Sequence, residues 1–506
     1  MNRVHVTLAL LLLAATALAG CSGGAAAGNR FVADAGGANV GGARAWQPDL
    51  LGGLGDPGTS GLKAWTPQFD AAPKAFDFDG DGVDELAAQA NDTFVYVFRL
   101  DGRVLARIAT VTPPAWHIER VLNGVEAAVL RPGEAPSLVI TSHAAYVSAW
   151  RYDAAKSTED HFEFTKTFER RMTECVRSPG MDAKASIADV GGGEKLIIVQ
   201  TEDGGSFGLR ADGATQWKQC WTGGNGAPAV ADLDGDGHAE AIVAGDNGVV
   251  AVLDAKTGAT RWTYDSRSAG ITPAAIPTQV TVADLDGQGQ KEILYVARYA
   301  PPGQPDTFAN DHMAVFAIHG GAGGQGELVW MRQPQWANPL SYTQLAVVDV
   351  DGDGRMDIFG MDWNTIGHRP GNWERLGPAH AFRLDDAGND VWVREIDAWW
   401  SNRDIAVVDL DGDGSYSILA NGPGGGYDGI WRLSAATGSA EAFLPLEDWK
   451  MSRGPVLHEL RHDGKMQLVF PVEPLDGSRK GALLVFDLDA AYDAPWPGSA
   501  SALRAH

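Results

Sequence analysis

A nine-residue acidic motif recurs along this 506-residue chain and constrains the fold more than any other feature. At its clearest it reads DLDGDGHAE, with aspartates at alternate positions, glycines between them and a short apolar run on either side. Weaker copies start at Val129, Asp189 and Glu459. Together they divide the chain into eight units of roughly fifty residues, a spacing typical of a propeller or a solenoid. The five acidic copies span residues 77–85, 232–240, 284–292, 349–357 and 409–417.

The remainder of each unit distinguishes these two architectures. After Glu240 the chain runs through a strand-like segment, a glycine turn, a second strand, a Thr-Gly turn and a strand that ends near Tyr264. With the apolar run before the motif, each unit holds four strands, and a closed ring of such units protects its sheet edges. We therefore predict an all-β fold, a single β-propeller of eight four-stranded blades, with seven blades as the alternative. The last unit lacks a clear fourth strand, which residues 62–69 would supply by pairing the two chain ends.

The motif between two strands resembles the FG-GAP or VCBS repeat of integrin-α-like propellers and of many bacterial surface proteins. Residues 250–264, VAVLDAKTGATRWTY, are also similar to the tryptophan-docking repeat of quinoprotein (PQQ-type) propellers. The combined resemblance covers about residues 62–490. It implies a propeller and calcium, but it does not imply a reaction.

The acidic motif has the composition of a calcium loop. Alternate carboxylates of a tight loop point at one centre, the ninth residue closes the site, and the seventh contributes its carbonyl. All-oxygen ligands favour Ca²⁺, and we predict three to five structural ions. Gln288 replaces the third aspartate of one copy, Ser417 replaces the last carboxylate of another, and the units at Val129, Asp189 and Glu459 should be empty. The predicted ligands are Asp77, Asp79, Asp81, Val83 and Glu85; Asp232, Asp234, Asp236, His238 and Glu240; Asp284, Asp286, Gln288, Gln290 and Glu292; Asp349, Asp351, Asp353, Arg355 and Asp357; and Asp409, Asp411, Asp413 and Ser415.

The N-terminal segment has the form of an export signal. Residues 1–20 carry one basic side chain and an apolar run too short for a comfortable membrane span. The run ends in Leu-Ala-Gly-Cys, which resembles the lipobox of bacterial lipoproteins and implies lipidation of Cys21. The Gly- and Ala-rich residues 21–61 are typical of a flexible tether, and residues 491–506 form a C-terminal tail. We expect an extracytoplasmic protein that is held by acyl chains alone, on the bacterial outer membrane.

Two further cysteines occupy nearly equivalent places in adjacent units. Cys175 lies 14 residues before Asp189, and Cys220 lies 12 residues before Asp232. In an oxidising compartment this placement favours a disulfide, with two separate buried thiols as the alternative.

The loops suggest where a partner binds. We name the strands of each blade A to D outward from the ring axis, so that the acidic motif is the A–B loop and the B–C and D–A connections lie on the opposite face. Long connections on a rigid scaffold often carry function, and aromatic side chains suit both protein and sugar partners. The B–C and D–A connections of the later units hold the candidates Trp336, Trp363, His368, Trp373, Trp399, Trp400 and Trp449.

Composition and motifs narrow the function. Forty basic against 65 acidic residues give a net charge of −25, which excludes a typical nucleic-acid binder. The sequence has no Walker loop, and the strings HELRH (458–462) and GGSFG (204–208) match HExxH and G-x-S-x-G by letters alone, because both fall within the strands and turns of the repeat and not on a helix. These features favour a non-catalytic scaffold that binds a protein or polysaccharide at the cell envelope. Two resemblances keep alternatives open: eight-bladed rhamnogalacturonan lyases share the repeat and calcium, and the propeller lipoprotein of the outer-membrane barrel assembly machinery shares the anchor and blade count.

Overall fold

The computed structural model describes residues 44–46 and 73–496 with gaps in several connections. Within this part, 36 strands carry the fold, and helix is confined to two short 3-10 segments, Ser266–Ala269 and Ala322–Gly324. No helix of the described residues is both long and apolar enough to cross a membrane. The longer gaps cover residues 110–123, 301–311, 337–344, 397–404, 422–428 and 475–481, and shorter ones include 363–364 and 411.

The first half of the chain forms one short strand and four antiparallel four-stranded blades. The strands, in chain order, are β1 (Arg44–Trp46); in blade 1, β2 (Lys74–Phe76), β3 (Glu85–Gln89), β4 (Phe94–Phe98) and β5 (Val104–Ala109); in blade 2, β6 (Val125–Ala128), β7 (Ser137–Ser142), β8 (Tyr146–Tyr152) and β9 (Phe164–Arg171); in blade 3, β10 (Ser186–Asp189), β11 (Lys195–Thr201), β12 (Gly205–Leu209) and β13 (Thr215–Gln219); and in blade 4, β14 (Ala229–Ala231), β15 (Glu240–Ala244), β16 (Val249–Asp254) and β17 (Thr260–Asp265).

The second half repeats this plan with additions in three blades. Its strands are, in blade 5, β18 (Pro273–Ala275), β19 (Thr281–Ala283), β20 (Glu292–Tyr299), β21 (His312–Gly320) and β22 (Gly326–Arg332); in blade 6, β23 (Ala346–Val348), β24 (Asp357–Met361), β25 (Thr365–Arg369), β26 (Asn372–Arg375), β27 (Ala379–Leu384) and β28 (Asp390–Ile396); in blade 7, β29 (Ala406–Val408), β30 (Ser417–Asn421), β31 (Gly429–Ser434) and β32 (Ala440–Pro445); and in blade 8, β33 (Trp449–Met451), β34 (Val456–His458), β35 (Lys465–Pro474) and β36 (Ala482–Ala491).

The blades form a closed ring, and the predicted eight-bladed propeller is confirmed. The A strands of successive blades lie against one another, as β2, β6, β10 and β14 do, which places them at the ring centre. Because strands alternate in direction, the acidic A–B loops and the C–D turns share one face. The B–C and D–A connections share the other, where β18 and β33 extend blades 5 and 8 and the hairpin β25–β26 is added to blade 6.

A hydrophobic cluster fills each junction between neighbouring blades. The inner strands are buried on both faces; in the B strand β15, for example, every residue is buried. At the junction of blades 4 and 5, the rings of Tyr295 and Phe316 stack with centroids 4.9 Å apart. The same arrangement joins blade 8 to blade 1, where Leu86 packs with Val469 and Leu483. Burial of apolar area between blades is therefore continuous around the ring, and it is the main stabilising term.

Tryptophans on the outer strands also connect one blade to the next. Trp392 of β28 lies over Gly438 in the C–D turn of blade 7, and its indole N–H donates to the Ala435 carbonyl at 2.9 Å. A Cβ added to Gly438, whose φ is +69°, would lie 2.7 Å from the Trp392 ring. Trp217 and Trp330 make the same contact with a turn glycine, Trp262 contacts Gly320 and Gly326 at the strand ends that flank the turn, and Phe168 takes this role in blade 2. The sequence predicts this docking for one repeat, and the structure shows it in several.

The ring closes by pairing the two chain ends, although with a different N-terminal segment from the one predicted. Strand β1 pairs antiparallel with β36, with Arg44 opposite Val485 and Trp46 opposite Leu483, and so supplies the outer strand of blade 8. This strand lies within residues 21–61, whereas the predicted residues 62–69 lie outside the described part. Beyond β36, Trp496 pairs with Val407 on the A strand of blade 7.

Candidate functional site

The A–B loops share one hydrogen-bonding pattern, which we describe by motif positions one to nine. At position one, Asp77 accepts the backbone N–H groups of Gly80 at 2.6 Å and Gly82 at 3.1 Å. At position five, Asp81 accepts the N–H of Val83 at 2.8 Å. The position-one contacts recur at Asp232, Asp349 and Asp409. The aspartates thus shape the loop as well as offering oxygen ligands.

The loop glycines are required by backbone conformation. Gly80 and Gly82 have φ values of +79° and +86°, and a Cβ on either would meet nothing within 4 Å. The left-handed region is therefore the reason for glycine here, since space is not limiting. In blade 8 His462 stands at position four with φ +49°, which shows that the loop path survives where the ligand set is lost.

The ninth residue is a buried carboxylate that joins the loop to strand B. Glu85 is 2% exposed, and its Oε2 accepts the N–H of Phe78 at 3.1 Å. The pKa of Glu85 is raised to about 8, chiefly by burial; the Phe78 N–H opposes this rise and the nearby aspartates contribute to it. Burial likewise raises the pKa values of Glu240, Glu292 and Asp357. A carboxylate in this setting is poorly stabilised as an anion unless a cation lies beside it.

Predicted ligands converge in three loops. One oxygen from each member of a set lies within 4.8 Å of the others, the sets being Asp77, Asp79 and Glu85; Asp232, Asp234 and Glu240; and Asp349, Asp351 and Asp353. In blade 4 the Oε1 of Glu240 is buried and accepts no hydrogen bond from a described residue, and in blade 5 the same holds for Asp284 Oδ1. Hard carboxylate oxygens and an unsatisfied buried acceptor fit Ca²⁺.

The structure describes the ligand sets of the other loops less completely. Gln288 of blade 5 donates toward its own loop, from Nε2 to the Asp286 carbonyl at 3.4 Å. In blade 7, Asp411 lies outside the described residues. The carbonyl contributions of Val83, His238, Gln290, Arg355 and Ser415 stay predictions. In blade 8, Arg461 and Gln467 occupy positions three and nine, and the loss of a site there stays a prediction.

Arginines approach the acidic loops, a feature that local sequence does not reveal. Arg99 in the C–D turn of blade 1 lies 3.6 Å from Asp79 and 4.0 Å from Asp81. Arg261 of β17 lies 3.7 Å from Glu240 and pairs with Asp254 at 3.0 Å. These contacts come from the C–D turn and from strand D, which lie outside the motif in the sequence, so only the folded blade brings them to the loop.

The two cysteines predicted as a pair are joined by a disulfide. Cys175 and Cys220 have Cα atoms 5.1 Å apart and close a sequence separation of 45 residues. Each follows the D strand of its blade, so the bond links the D–A connections of blades 2 and 3.

Of the partner residues predicted on the opposite face, Trp336 is the one whose side chain the structure describes. Trp336 lies between blades 5 and 6, half-buried against Phe382, with ring centroids 5.0 Å apart. His368 and Trp373 lie in the hairpin β25–β26, and Trp449 pairs with Pro474 at the start of β33. Trp363, Trp399 and Trp400 lie outside the described residues.

A buried acid–histidine pair on this face escaped the sequence analysis. Asp362, fully buried after strand β24, accepts both the backbone N–H and the Nδ1 of His380 at 2.7 Å. The hydrogen bond to Asp362 raises the pKa of His380. Trp336 lies beside the imidazole, with centroids 5.8 Å apart. At the same place blade 1 has Ala90 and Phe94, so the propeller fold does not require the charged pair.

An eight-bladed propeller with acidic A–B loops is thus the class of protein that the fold and its loops define. Residues 232–295, which contain the loops of blades 4 and 5, match the FG-GAP-like repeat family. The predicted repeat resemblance is confirmed for this segment. Comparison with curated protein sequences gives no match.

Solved structures share the fold at low identity. The biofilm matrix protein Bap1 of V. cholerae is 13% identical with a TM-score of 0.51, covering 87% of this chain and 91% of Bap1. Sqt1 of Saccharomyces cerevisiae is 9% identical with a TM-score of 0.55, covering 85% and 98%. Quinohemoprotein alcohol dehydrogenase from Comamonas testosteroni is 14% identical with a TM-score of 0.50, covering 85% and 75%. These likenesses concern the fold alone.

Proposed function

We propose that this chain is a calcium-stabilised propeller lipoprotein of the cell envelope that acts as a non-catalytic scaffold for a protein or glycan partner. One observation carries the proposal: the two faces of the ring are built differently. The A–B face holds the repeated acidic loops, whereas the B–C face of blade 6 carries an added hairpin beside the Trp336–His380 contact. The first face suits structural metal and the second suits a partner.

Calcium would act on the A–B loops by supplying the positive charge that their carboxylates lack. Asp232, Asp234 and Glu240 would hold it in blade 4, and Asp77, Asp79 and Glu85 in blade 1. The loop backbone already orients these side chains through its N–H groups, so binding would order little more. The ion would tie strand A to strand B and thereby stabilise each blade that binds it.

The proposed location at the cell envelope is supported by the N-terminal lipobox-like segment and by the disulfide. Cys21 would carry the acyl chains. Several acyl chains anchor a protein to a membrane far more stably than one chain does. The disulfide between Cys175 and Cys220 suits an oxidising compartment outside the cytoplasm. We propose the bacterial outer membrane as the site of anchoring.

Crosslinked co-purification from native envelope membranes in millimolar calcium tests the scaffold proposal. The intact protein is compared with a variant in which Trp363, Trp373, Trp399 and Trp400 are changed to Ala. Trp221→Ala is the matched control, because Trp221 is 44% exposed but lies in blade 3. A protein or glycan recovered with the wild type and the control, and lost with the quadruple variant, is expected. Equal recovery from all three would contradict the proposed face.

The Asp362–His380 pair favours a second candidate function, a polysaccharide-active enzyme. A histidine oriented by a buried carboxylate has the arrangement of a general acid or base. A glycan depolymerisation screen with wild type and His380→Gln distinguishes the two functions. Cleavage that depends on His380 would establish the enzyme, whereas no cleavage by either protein keeps the scaffold.

A further inference from the structure

The acidic loops of blades 6 and 7 differ from the others in what fills the space beside their ninth residue. In blade 6, Arg383 of β27 donates from Nε to Asp357 Oδ1 at 2.6 Å and from Nη2 to Asp351 Oδ2 at 2.8 Å. Arg383 is only 7% exposed. Its guanidinium therefore bridges positions three and nine, the residues that would ligate the same ion.

In blade 4 the carboxylate at position nine has no arginine within hydrogen-bond distance among the described residues. Glu240, its ninth residue, accepts the Leu233 N–H on one oxygen, just as Asp357 accepts the Val350 N–H. The other oxygen of Glu240 accepts no hydrogen bond from a described residue, and Arg261 stays 3.7 Å away. The acceptor that is satisfied by a guanidinium in blade 6 is thus unsatisfied in blade 4.

Strand register explains the difference. Arg383 stands opposite Phe359, two residues after the ninth position of its motif. The residues at the same register are Val97 in blade 1, Val252 in blade 4, Ala317 in blade 5 and Arg432 in blade 7. Arg432 donates from Nε to the ninth residue of its loop, Ser417, at 2.9 Å. Among the five acidic loops, as far as the structure describes them, only those of blades 6 and 7 therefore have an arginine at this register of strand C.

We propose that Arg383 and Arg432 serve as built-in cations, so that calcium binds the loops of blades 1, 4 and 5 but not those of blades 6 and 7. In blade 6 the Arg383 guanidinium, held between positions three and nine, takes the place and the charge that Ca²⁺ would need there, and in blade 7 the Arg432 guanidinium lies on position nine. The inference rests on the proposed calcium binding and corrects its extent: of the three loops with a full ligand set, that of blade 6 is closed by its own side chain.

Equilibrium dialysis of the full chain against ⁴⁵Ca²⁺ counts the ions. The wild type is expected to bind no more than three. Arg383→Val, which installs the residue of blades 1 and 4, and Arg383→Gln are each expected to bind one ion more. Arg394→Val is the matched control, since Arg394 lies in the same blade and contacts Val393 and Thr437 instead of the loop. It should match the wild type.

A second pair of variants leaves the buried arginine in place. Asp234→Asn in blade 4 is expected to remove one ion, whereas Asp351→Asn, at the same position of the blade 6 loop, should remove none. A wild type that binds four or more ions, an unchanged count in both Arg383 variants, or a loss on Asp351→Asn would overturn the inference and leave calcium binding intact. No uptake by any of these proteins would overturn the calcium proposal and this inference with it.

Discussion

At the scale of single residues, the ninth motif position separates a structural requirement from a chemical one. Glu85 accepts the N–H of the second motif residue in blade 1, and Gln467 does the same in blade 8, where Leu460 N–H donates to its Oε1 at 2.7 Å. A neutral acceptor is thus sufficient for the loop. The negative charge of Glu85 is therefore not needed for the loop path, which is consistent with the proposed cation binding.

Glu85→Gln tests this interpretation in metal-free protein. Because the folded pKa of Glu85 is raised to about 8, its contribution to stability is fully present below the unfolded value of 4.5 and is lost as the pH rises through 8. The variant lacks this titration. In excess EDTA at pH 8 we expect it to melt at a higher temperature than the wild type, and at pH 4 the two should converge.

Calcium is expected to reverse the order of melting temperatures, since the variant loses a charged ligand while the wild type gains the ion. Thermal unfolding monitored by circular dichroism measures the melting temperatures of both proteins in EDTA and in calcium. A variant that is less stable than the wild type in EDTA at pH 8 would show that the Glu85 charge is stabilised without metal.

Asp362→Asn tests the origin of the raised pKa of His380. The hydrogen bond to Asp362 is its main cause, opposed by burial and aided by Glu395. Stability from this pair is fully present below the ordinary His pKa of 6.5 and is lost as the pH rises through the higher folded value. Asn keeps an acceptor for the backbone N–H but removes the charge, so the His380 titration should move to lower pH.

An NMR titration of ¹³C-labelled histidines measures the His380 pKa in both proteins. Asp390→Asn is the control, because Asp390 pairs with Arg332 on the outer strands of blades 5 and 6. An unchanged His380 pKa in Asp362→Asn would assign the shift to another group.

At the scale of elements, the recurring connection is a D-strand tryptophan that lies on the C–D turn of the next blade. Trp330 donates to the Asp386 carbonyl at 2.8 Å, and Trp217 donates to the Ala255 carbonyl at 2.8 Å. The contact combines aromatic burial with a hydrogen bond, and it works only because a glycine leaves room for the ring. It connects neighbouring blades at their outer edge, whereas the A strands contact one another only near the ring axis.

Substitution of Trp392 measures this connection. Trp392→Phe removes the hydrogen bond to Ala435 and should cost about 1–2 kcal/mol, and Trp392→Ala adds a cavity and should cost about 3–5 kcal/mol. Chemical denaturation of both variants gives the values. Trp221→Phe, at an exposed tryptophan, is the control and should lie within about 0.5 kcal/mol of the wild type. Equal stability of Trp392→Ala and the wild type would contradict the role of docking.

The elements also show what sequence can and cannot reveal. The blades and their A–B loops follow from a local repeat, because the alternating aspartates and the glycines of positive φ are contiguous in the chain. Arg383 and the Asp362–His380 pair have no such signature, since strand pairing alone brings their groups together. Strand β1 was missed for a related reason: three residues in a Gly-rich segment carry no periodicity.

At the scale of the whole molecule, closure of the ring has two separate parts. The apolar junction of blades 8 and 1 is a full inter-blade cluster that includes Leu86, Val469 and Leu483. The Asp84 N–H also donates to the Leu460 carbonyl at 2.7 Å across this junction. Strand β1 adds main-chain pairing at the outer edge of β36. The apolar junction of blades 8 and 1 is like the other inter-blade junctions, whereas the β1–β36 pairing is specific to blade 8.

Deletion of residues 44–46 separates these contributions. Because the apolar junction is retained, the variant should still fold into the propeller, but β36 becomes an unpaired edge that can recruit another chain. We expect a melting temperature lower by a few degrees and concentration-dependent association, measured by calorimetry and light scattering. Deletion of residues 36–38 shortens the same segment equally and should leave both unchanged. If loss of 44–46 unfolded the protein outright, closure would depend on β1 pairing and not on the apolar junction. If it changed nothing, the junction alone would close the ring.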